Sequence, residues 1–207
     1  MNHTEIIQNI IDKTNGKVYL EIGIASGINF LKIKAKKKIG VDPIKKVLLK
    51  NKLKYLHFFF NSKIYKMTSD EYFLKFKNKI NVAFIDGMHT YSQSLKDVEN
   101  CLDNLDDSGV IIMHDCNPPS EKIASPKLIK GNWSGEVWKT IVNLRTRNDL
   151  NVFVIDCDWG VGIITRGTQE NILTYSETEI EKMTYSDLEK NRKDFLNLKA
   201  YNQSGEK

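Results

Sequence analysis

The sequence has few arginines, no closely spaced cysteines and no long apolar run, and each shortage excludes a class of protein. Although the 207-residue chain carries a formal net charge of +5, arginine appears only at positions 145, 147, 166 and 192. Arginine binds phosphates and guanine edges through two hydrogen bonds at once, so its scarcity argues against a nucleic-acid partner. A solvated basic surface is the better interpretation of the clustered lysines, which lie at positions 32, 34, 36, 37, 38, 45, 46, 50, 52 and 54.

Cysteine usage and hydropathy predict a cytoplasmic protein. Cys101, Cys116 and Cys157 show no CxxC spacing, which predicts reduced thiols rather than a disulfide framework or a zinc site. No apolar run is long enough for a membrane span, and the polar N-terminus lacks the layout of a signal peptide. With 41% hydrophobic and 28% charged residues, we expect an ordinary globular chain, compatible with a homo-oligomer.

Short apolar runs alternate with helical patterns through most of the chain. An amphipathic helix is predicted at residues 1–15, with a stop at Asn15-Gly16. A second helix is predicted by an apolar face of Leu95, Val98, Leu102 and Leu105. Five runs are predicted to be strands: Val18–Ile22, Lys38–Val41, Ile64–Met67, Val82–Ile85 and Val110–Met113. Such near-continuous apolar strands between helices predict a parallel sheet with helices on both faces.

The last third of the chain changes pattern. Two further apolar runs, Asn151–Ile155 and Val161–Thr165, are separated by a gap too short for a helical crossover, which predicts an antiparallel hairpin. Five parallel strands plus a hairpin with one antiparallel strand form an α/β layout that resembles the Rossmann-like class I methyltransferase sheet. We therefore predict a domain at 1–170 and a helical appendage at 171–207, with capping boxes at Ser176 and Ser186 and a frayed tail from Tyr201.

The turn after the first strand matches a cofactor-binding pattern. The dinucleotide fingerprint GxGxxG requires glycine at 23, 25 and 28, and only Gly23 satisfies it, which ranks a dehydrogenase lowest. The alternative acidic-x-Gly-x-small-x-Gly pattern, typical of S-adenosylmethionine (SAM) binding, is met throughout. The predicted cofactor residues of this turn are Glu21, Gly23, Ala25, Ser26 and Gly27.

Polar residues after the second and third strands extend the predicted cofactor site. Asp42 can accept both ribose hydroxyls, or can cap the helix predicted to start at Pro43. Ser69 and Asp70 lie where such folds contact adenine or ribose, although the same pair suits a helix N-cap followed by an acid.

Five segments occur together in a specific order: EIGIASG, GVDP, KMTSDEYF, FIDGMHTYSQSLKDVE and GVIIMHDCNPP. Over roughly residues 17–167 they resemble the small class I SAM-dependent methyltransferases associated with surface-glycan and sugar-modifying pathways. The DGxHxY element that starts at Asp86 is similar to that of antibiotic-sugar O-methyltransferases. The resemblance implies SAM as cofactor and a small-molecule or glycan hydroxyl as acceptor.

The end of the fourth strand carries the predicted catalytic residues. An alcohol must lose its proton during methylation, and a histidine that is neutral near pH 7 suits that task, so we predict His89 as the general base. The alternative for His89 is a cap on the following helix. Asp86 is the second predicted catalytic residue and a further predicted cofactor contact.

A metal site is implied by the same resemblance. In the sugar O-methyltransferases, the residue matching Asp86 and an acidic pair after the fifth strand hold Mg²⁺. Here that pair is His114-Asp115, which predicts a weaker magnesium site or one for a softer metal. The alternative is that Asp86 and Asp115 bind loop amides or the amino end of the cofactor.

Residues 116–135 are predicted to form an acceptor-site loop, with Trp133 and the nearby Trp138 either covering the acceptor or packing in the core. Within it, Asn117-Pro118-Pro119 is similar to the base-holding motif of nucleic-acid amino-methyltransferases. That motif follows the fourth strand and ends in an aromatic residue, whereas this one follows the fifth and precedes Ser120. We therefore interpret it as a turn, and Cys116 as a bystander. An RNA or DNA methyltransferase and a non-catalytic SAM-fold binding protein are the alternatives to an O-methyltransferase.

Overall fold

The structure is a computed structural model that describes residues 2–44 and 61–200. Within these ranges no helix is long and apolar enough to cross a membrane, and the three cysteines are free thiols. Three predicted features fall outside the described residues: most of the helix expected from Pro43 onward, the lysines between 45 and 54, and the tail from Tyr201. The chain forms two compact units, Met1–Met88 with Gln93–Ile112 and His89–Ser92 with Met113–Lys207.

The first unit holds most of the parallel sheet. Its described elements are α1 (His3–Thr14), β1 (Val18–Ile22), α2 (Ile28–Lys32), β2 (Lys37–Val41), β3 (Ser62–Tyr65), α3 (Ser69–Lys75), β4 (Ile80–Ile85) and most of α4 (Tyr91–Asn104) and β5 (Leu105–Met113). The strand order is β3-β2-β1-β4-β5, with β1 parallel to β2 and β4, and β2 parallel to β3. Since these strands run the same way, their carboxyl ends meet at one edge, where ligands bind in such sheets.

The second unit contains the hairpin and the C-terminal helices. Its elements are α5 (Val137–Leu144), β6 (Leu150–Ile155), β7 (Val161–Arg166), α6 (Glu177–Lys182), α7 (Tyr185–Leu196) and β8 (Leu198–Lys199). β6 and β7 are antiparallel neighbours, which confirms the predicted hairpin. β8 pairs with β6 in parallel. Because β8 has only two residues, it cannot show the alternation of apolar and polar residues by which a strand is predicted.

The predicted fold class is confirmed, while several strand ends and one helix cap differ from the prediction. β3 lies two residues earlier than predicted; its side chains are only partly buried, so no continuous apolar run marks its ends. β5 begins at Leu105, a residue that the sequence pattern assigned to the apolar face of the preceding helix. Polar residues such as Asp106 interrupt the apolar run in the first half of this strand, so its start was predicted too late. The box that caps α7 uses Thr184 and Asp187 rather than Ser186, whereas the Ser176 box is as predicted.

Candidate active site

A cavity of about 460 Å³ in the first unit lies at the carboxyl ends of β1, β2 and β4 and at the start of α3. We call it the cofactor cavity. Six of the predicted cofactor residues line it: Gly23, Ala25, Asp42, Ser69, Asp70 and Asp86. Ser26 and Gly27 belong to the same turn as Ala25, and Gly27 is the N-cap of α2.

The turn after β1 needs small residues for two reasons. Gly23, Ala25 and Gly27 all have positive φ, at 86°, 41° and 78°, in the left-handed region that favours residues without a bulky Cβ. A Cβ on Gly23 would lie 1.9 Å from the carbonyl oxygen of Asp86. The turn therefore passes directly against the end of β4, and this contact shapes one wall of the cavity.

Asp42 fixes the two loops that border the cofactor cavity. Its Oδ2 accepts from the amide of Ala25 at 2.9 Å, and its Oδ1 accepts from the amide of Ile44 at 2.8 Å. The carboxylate thus holds the β1 turn to the end of β2 while it lines the cavity.

Glu21 lies in a buried hydrogen-bond network within the first unit. Its Oε2 accepts from the Tyr19 hydroxyl at 2.5 Å and from Asn29 Nδ2 at 2.8 Å, so it joins β1 to the first turn of α2. Burial raises the pKa of Glu21 to about 8, and burial lowers the pKa of neighbouring Lys38 to about 8. This arrangement favours a role in positioning α2; direct cofactor contact by Glu21 stays a prediction.

Glu21→Gln should make the protein more stable at alkaline pH. The ordinary glutamate pKa of 4.5 applies to the unfolded chain, whereas the folded pKa is about 8, so wild-type stability falls as pH rises through this window. Glutamine accepts the same two hydrogen bonds and does not titrate. We expect the variant to gain on the order of 3 kcal/mol over wild type at pH 8 and little at pH 4.5.

Denaturant unfolding at several pH values measures this difference. The matched control is Glu121→Gln, because Glu121 is an exposed carboxylate of the same type. A stability difference for Glu21→Gln that does not change with pH would contradict the assignment.

Sequence reasoning missed two residues that line the cofactor cavity, Gln93 and Asp97. Gln93 Nε2 donates to Asp97 Oδ1 at 2.9 Å, and to Ser69 Oγ and Asp70 Oδ1 at 3.3 Å each. Burial raises the pKa of Asp97 to about 6. The sequence signal that could have identified them is their spacing: Gln93 and Asp97 are polar residues at positions i and i+4 of α4, and this spacing places both side chains on one face of the helix.

His89 lies in the second unit and is held by two acceptors. Its Nδ1 is 2.7 Å from the carbonyl oxygen of Trp133 and 3.3 Å from Asp115 Oδ2. Since a carbonyl only accepts, Nδ1 must carry the hydrogen, and Nε2 is the basic nitrogen of the neutral ring. The ring is therefore fixed by a segment 44 residues away, which favours a catalytic role over a helix cap.

Asp115 is buried between two imidazole rings. Its backbone has a φ of 62°, uncommon for a residue other than glycine, and its side chain is 6% exposed. While Oδ2 faces His89, Oδ1 lies 3.4 Å from His114 Nδ1. Of the three predicted metal ligands, His114 and Asp115 are thus brought together in the second unit, and Asp86 lines the cofactor cavity of the first.

The two tryptophans associated with the acceptor-site loop differ in environment. The Trp133 ring lies 5.4 Å from the His89 ring, and its Nε1 donates to the carbonyl of Ser125 at 2.7 Å. Trp138 lies on α5 and is 2% exposed, so of the two alternatives for this residue, packing in the protein core is the one that holds. Its apolar helical neighbours explain this burial.

The remaining parts of the Asn-Pro-Pro segment are structural. Cys116 is buried and its thiol donates to the carbonyls of Met113 and His114. Asn117 Nδ2 donates to Asp156 Oδ1 at 2.9 Å, and its Oδ1 accepts from Arg192. These bonds anchor a turn, as predicted.

Comparison with known proteins agrees with this geometry. Residues 20–116 match the family model described as a methyltransferase domain. No curated protein sequence matches significantly. Solved structures share the fold at low identity. A Staphylococcus aureus protein assigned as a caffeoyl-CoA O-methyltransferase is 20% identical, with a TM-score of 0.62 and coverage of 79% of this chain and 82% of that one.

Two further structures contain a cofactor. The O-methyltransferase from Bacillus cereus, in complex with S-adenosylhomocysteine (SAH), is 11% identical, with a TM-score of 0.60 and 78% coverage of each chain. The O-methyltransferase TomG from Streptomyces achromogenes, involved in tomaymycin synthesis and in complex with SAM, is 9% identical, with a TM-score of 0.63 and 79% coverage of each chain. Residues 20–116 of this chain therefore match a methyltransferase domain, and the chain shares the fold of these solved methyltransferase structures.

Proposed function

We propose that this protein is an O-methyltransferase that binds SAM in the cofactor cavity and methylates a hydroxyl of a small molecule, a sugar or a glycan. The observation that carries the proposal is the orientation of His89, whose Nδ1 points to the carbonyl of Trp133 at 2.7 Å. A histidine with a fixed tautomer and a basic Nε2 suits removal of a proton from an alcohol. Similar structures of O-methyltransferases in complex with SAM or SAH support the same reaction class.

In the proposed reaction, each residue has a defined task. The cofactor cavity holds SAM, with Asp42 as the acceptor for ribose hydroxyls. His89 Nε2 takes the proton of the acceptor hydroxyl as the oxygen attacks the methyl carbon. Bound SAM would supply the methyl group to the acceptor oxygen and would be converted to SAH. Asp115 keeps the His89 ring in place and stabilises the imidazolium that results.

SAM binding is tested by calorimetry on the wild type and on Asp42→Ala. Loss of the Asp42 carboxylate should weaken SAM affinity by about 10- to 100-fold, because hydrogen bonds to a charged group contribute about 1.5–3 kcal/mol each. Asp103→Ala removes an exposed carboxylate on α4 and should leave affinity unchanged. Wild-type protein that binds neither SAM nor SAH would rule out the proposed function.

We also propose that His114 and Asp115 contribute donors for a divalent metal; Asp86 as a third ligand stays a prediction from the sequence. A buried carboxylate within 3.4 Å of an imidazole nitrogen fits a cation that accepts mixed oxygen and nitrogen donors. Such a metal would supply a positive charge that orients the acceptor oxygen.

Metal removal tests this part of the proposal. Chelation should lower kcat at least about tenfold, and Mn²⁺ should restore it at least as well as Mg²⁺, because the donors include a nitrogen. Unchanged turnover after chelation would reject the metal and leave Asp115 as the positioning group for His89.

A further inference from the structure

Within the second unit, α5 is bonded to the short segment that carries the candidate base. Glu136, the N-cap of α5, donates from its amide to the carbonyl of His89 at 2.9 Å. Further along the helix, the Thr140 hydroxyl donates to the carbonyl of Tyr91 at 3.4 Å, and Asn143 Nδ2 donates to the Tyr91 hydroxyl at 2.8 Å. Positions 136, 140 and 143 recur at helical spacing, so one side of α5 lies along the chain from His89 to Tyr91.

The first of these contacts is close enough to require glycine. Gly135 has a φ of 58°, and a Cβ at this position would lie 2.0 Å from the carbonyl oxygen of His89. The residue before the N-cap thus packs directly on the backbone of the candidate base, while the carbonyl of Trp133 holds Nδ1 of its ring. Both the backbone and the side chain of His89 are therefore held by the segment that leads into α5.

The other polar contacts of α5 lead to the C-terminal helices α6 and α7, which pack against it. Two cations of α5 are buried, Lys139 at 5% and Arg145 at 2% exposure. Lys139 Nζ donates to the carbonyl of Glu181 in α6 at 2.8 Å. Arg145 donates to the carbonyl of Asn171 at 2.6 Å and to that of Asp194 in α7. Because a buried cation is costly unless acceptors compensate it, these bonds fix α5 to the C-terminal part of the chain.

Lys139 joins the two sets of contacts. Its Nζ also donates to Glu136 Oε1 at 2.7 Å, and Glu136 is the residue whose amide holds the carbonyl of His89. The side chains of this ion pair are largely buried, where a charge-assisted hydrogen bond is stronger than in water. A continuous chain of hydrogen bonds thus leads from the Glu181 carbonyl through Lys139 and Glu136 to the backbone of His89.

We propose that the C-terminal helices position the candidate base through α5, with Lys139 and Glu136 as positioning residues and Tyr91 as the second point of attachment. This gives a role to helices for which the sequence predicted none, and to the tyrosine of the DGxHxY element. The inference rests on the proposed function, in which His89 needs a basic Nε2. The Nδ1–H tautomer is stabilised only while the ring stays aligned with its acceptor, so weaker support should populate the Nε2–H tautomer.

NMR of the full chain labelled with ¹⁵N-histidine tests the inference without an acceptor substrate, at about pH 8, where an ordinary imidazole is neutral. The His89 signals are identified by their loss in His89→Ala. Lys139→Met keeps most of the apolar stem but cannot donate, and Tyr91→Phe removes only the hydroxyl. In both variants the ratio of Nδ1–H to Nε2–H tautomers of His89 should fall about two- to thirtyfold, the range for residues that act through a packed network. Affinity for SAH should be unchanged.

Three further variants separate positioning from folding. Glu136→Gln keeps an oxygen that accepts from Lys139, so it should retain the wild-type tautomer ratio, whereas Glu136→Ala should lower it. The matched control is Lys182→Met, which removes an exposed lysine of α6 and should change neither the ratio nor the Tm.

The outcomes distinguish this inference from the proposed function. A wild-type spectrum with His89 mainly in the Nε2–H form would overturn the inference. A wild-type ratio in both Tyr91→Phe and Glu136→Ala would overturn it as well, even if Lys139→Met fails to fold, because the C-terminal helices would then serve stability alone. Wild-type protein that binds neither SAM nor SAH, but shows the expected tautomer changes, would remove the proposed function and leave the support of His89 by the C-terminal helices.

Discussion

His89→Ala should lower kcat by about 10²- to 10⁴-fold, the usual contribution of a general base, while affinity for SAH stays unchanged. The expected loss follows from the ring's fixed orientation, with Nδ1 held by the Trp133 carbonyl and the Asp115 carboxylate. Single-turnover kinetics with a saturating acceptor, together with calorimetry for SAH, would separate the chemical step from cofactor binding.

Asp115→Asn is the companion variant for this prediction. It keeps the size of the side chain but removes the charge that stabilises a protonated His89, so kcat should fall by a smaller factor than in His89→Ala. Turnover within twofold of wild type for His89→Ala would remove His89 as the base. In that case its contact with Trp133 would serve only to hold the acceptor-site loop.

Gly23→Ala should lower the free energy of unfolding by about 3 kcal/mol and abolish SAM binding. The added methyl group would lie 1.9 Å from the Asp86 carbonyl oxygen at a φ of +86°, so left-handed strain of about 1–2 kcal/mol adds to a backbone clash of similar size. For a chain of this length, Tm should fall by about 10 °C. Thermal unfolding and SAH calorimetry measure both effects.

Gly131→Ala separates the two causes. Gly131 has a φ of +98°, and a Cβ there would meet nothing within 4 Å, so this variant carries the backbone strain without the clash. Its Tm should fall by well under half of the drop in Gly23→Ala. Equal losses in the two variants would show that the approach of the β1 turn to Asp86 has little energetic weight.

The tests on Glu21 and Asp42 concern side chains with different positions around the cofactor cavity. Asp42 lines it, whereas Glu21 is buried in a network with Tyr19 and Asn29. Sequence alone placed both in one cofactor set, because both are acids at strand ends. We expect Glu21→Gln to change protein stability and Asp42→Ala to change SAM affinity. That result would show that Glu21 supports the fold of the cofactor cavity, whereas Asp42 binds the cofactor.

The sequence by itself determined the fold class, the hairpin and the turn that forms the cofactor cavity. Those features depend on local signals, such as the apolar run at Val18–Ile22 and the small residues at Gly23 and Ala25. Each signal determines the backbone conformation of residues only a few positions away in the sequence. Strand ends were less certain where burial is partial, as in β3, or where polar residues such as Asp106 open a strand.

Only the tertiary structure decided which distant groups meet. It placed Gln93 and Asp97 at the cofactor cavity, directed His89 to a carbonyl 44 residues away, and linked Arg192 to Asn117 across 75 residues. It also assigned Trp138 to the core. Such contacts arise from chain packing between remote segments, and no local pattern of propensity or periodicity encodes them.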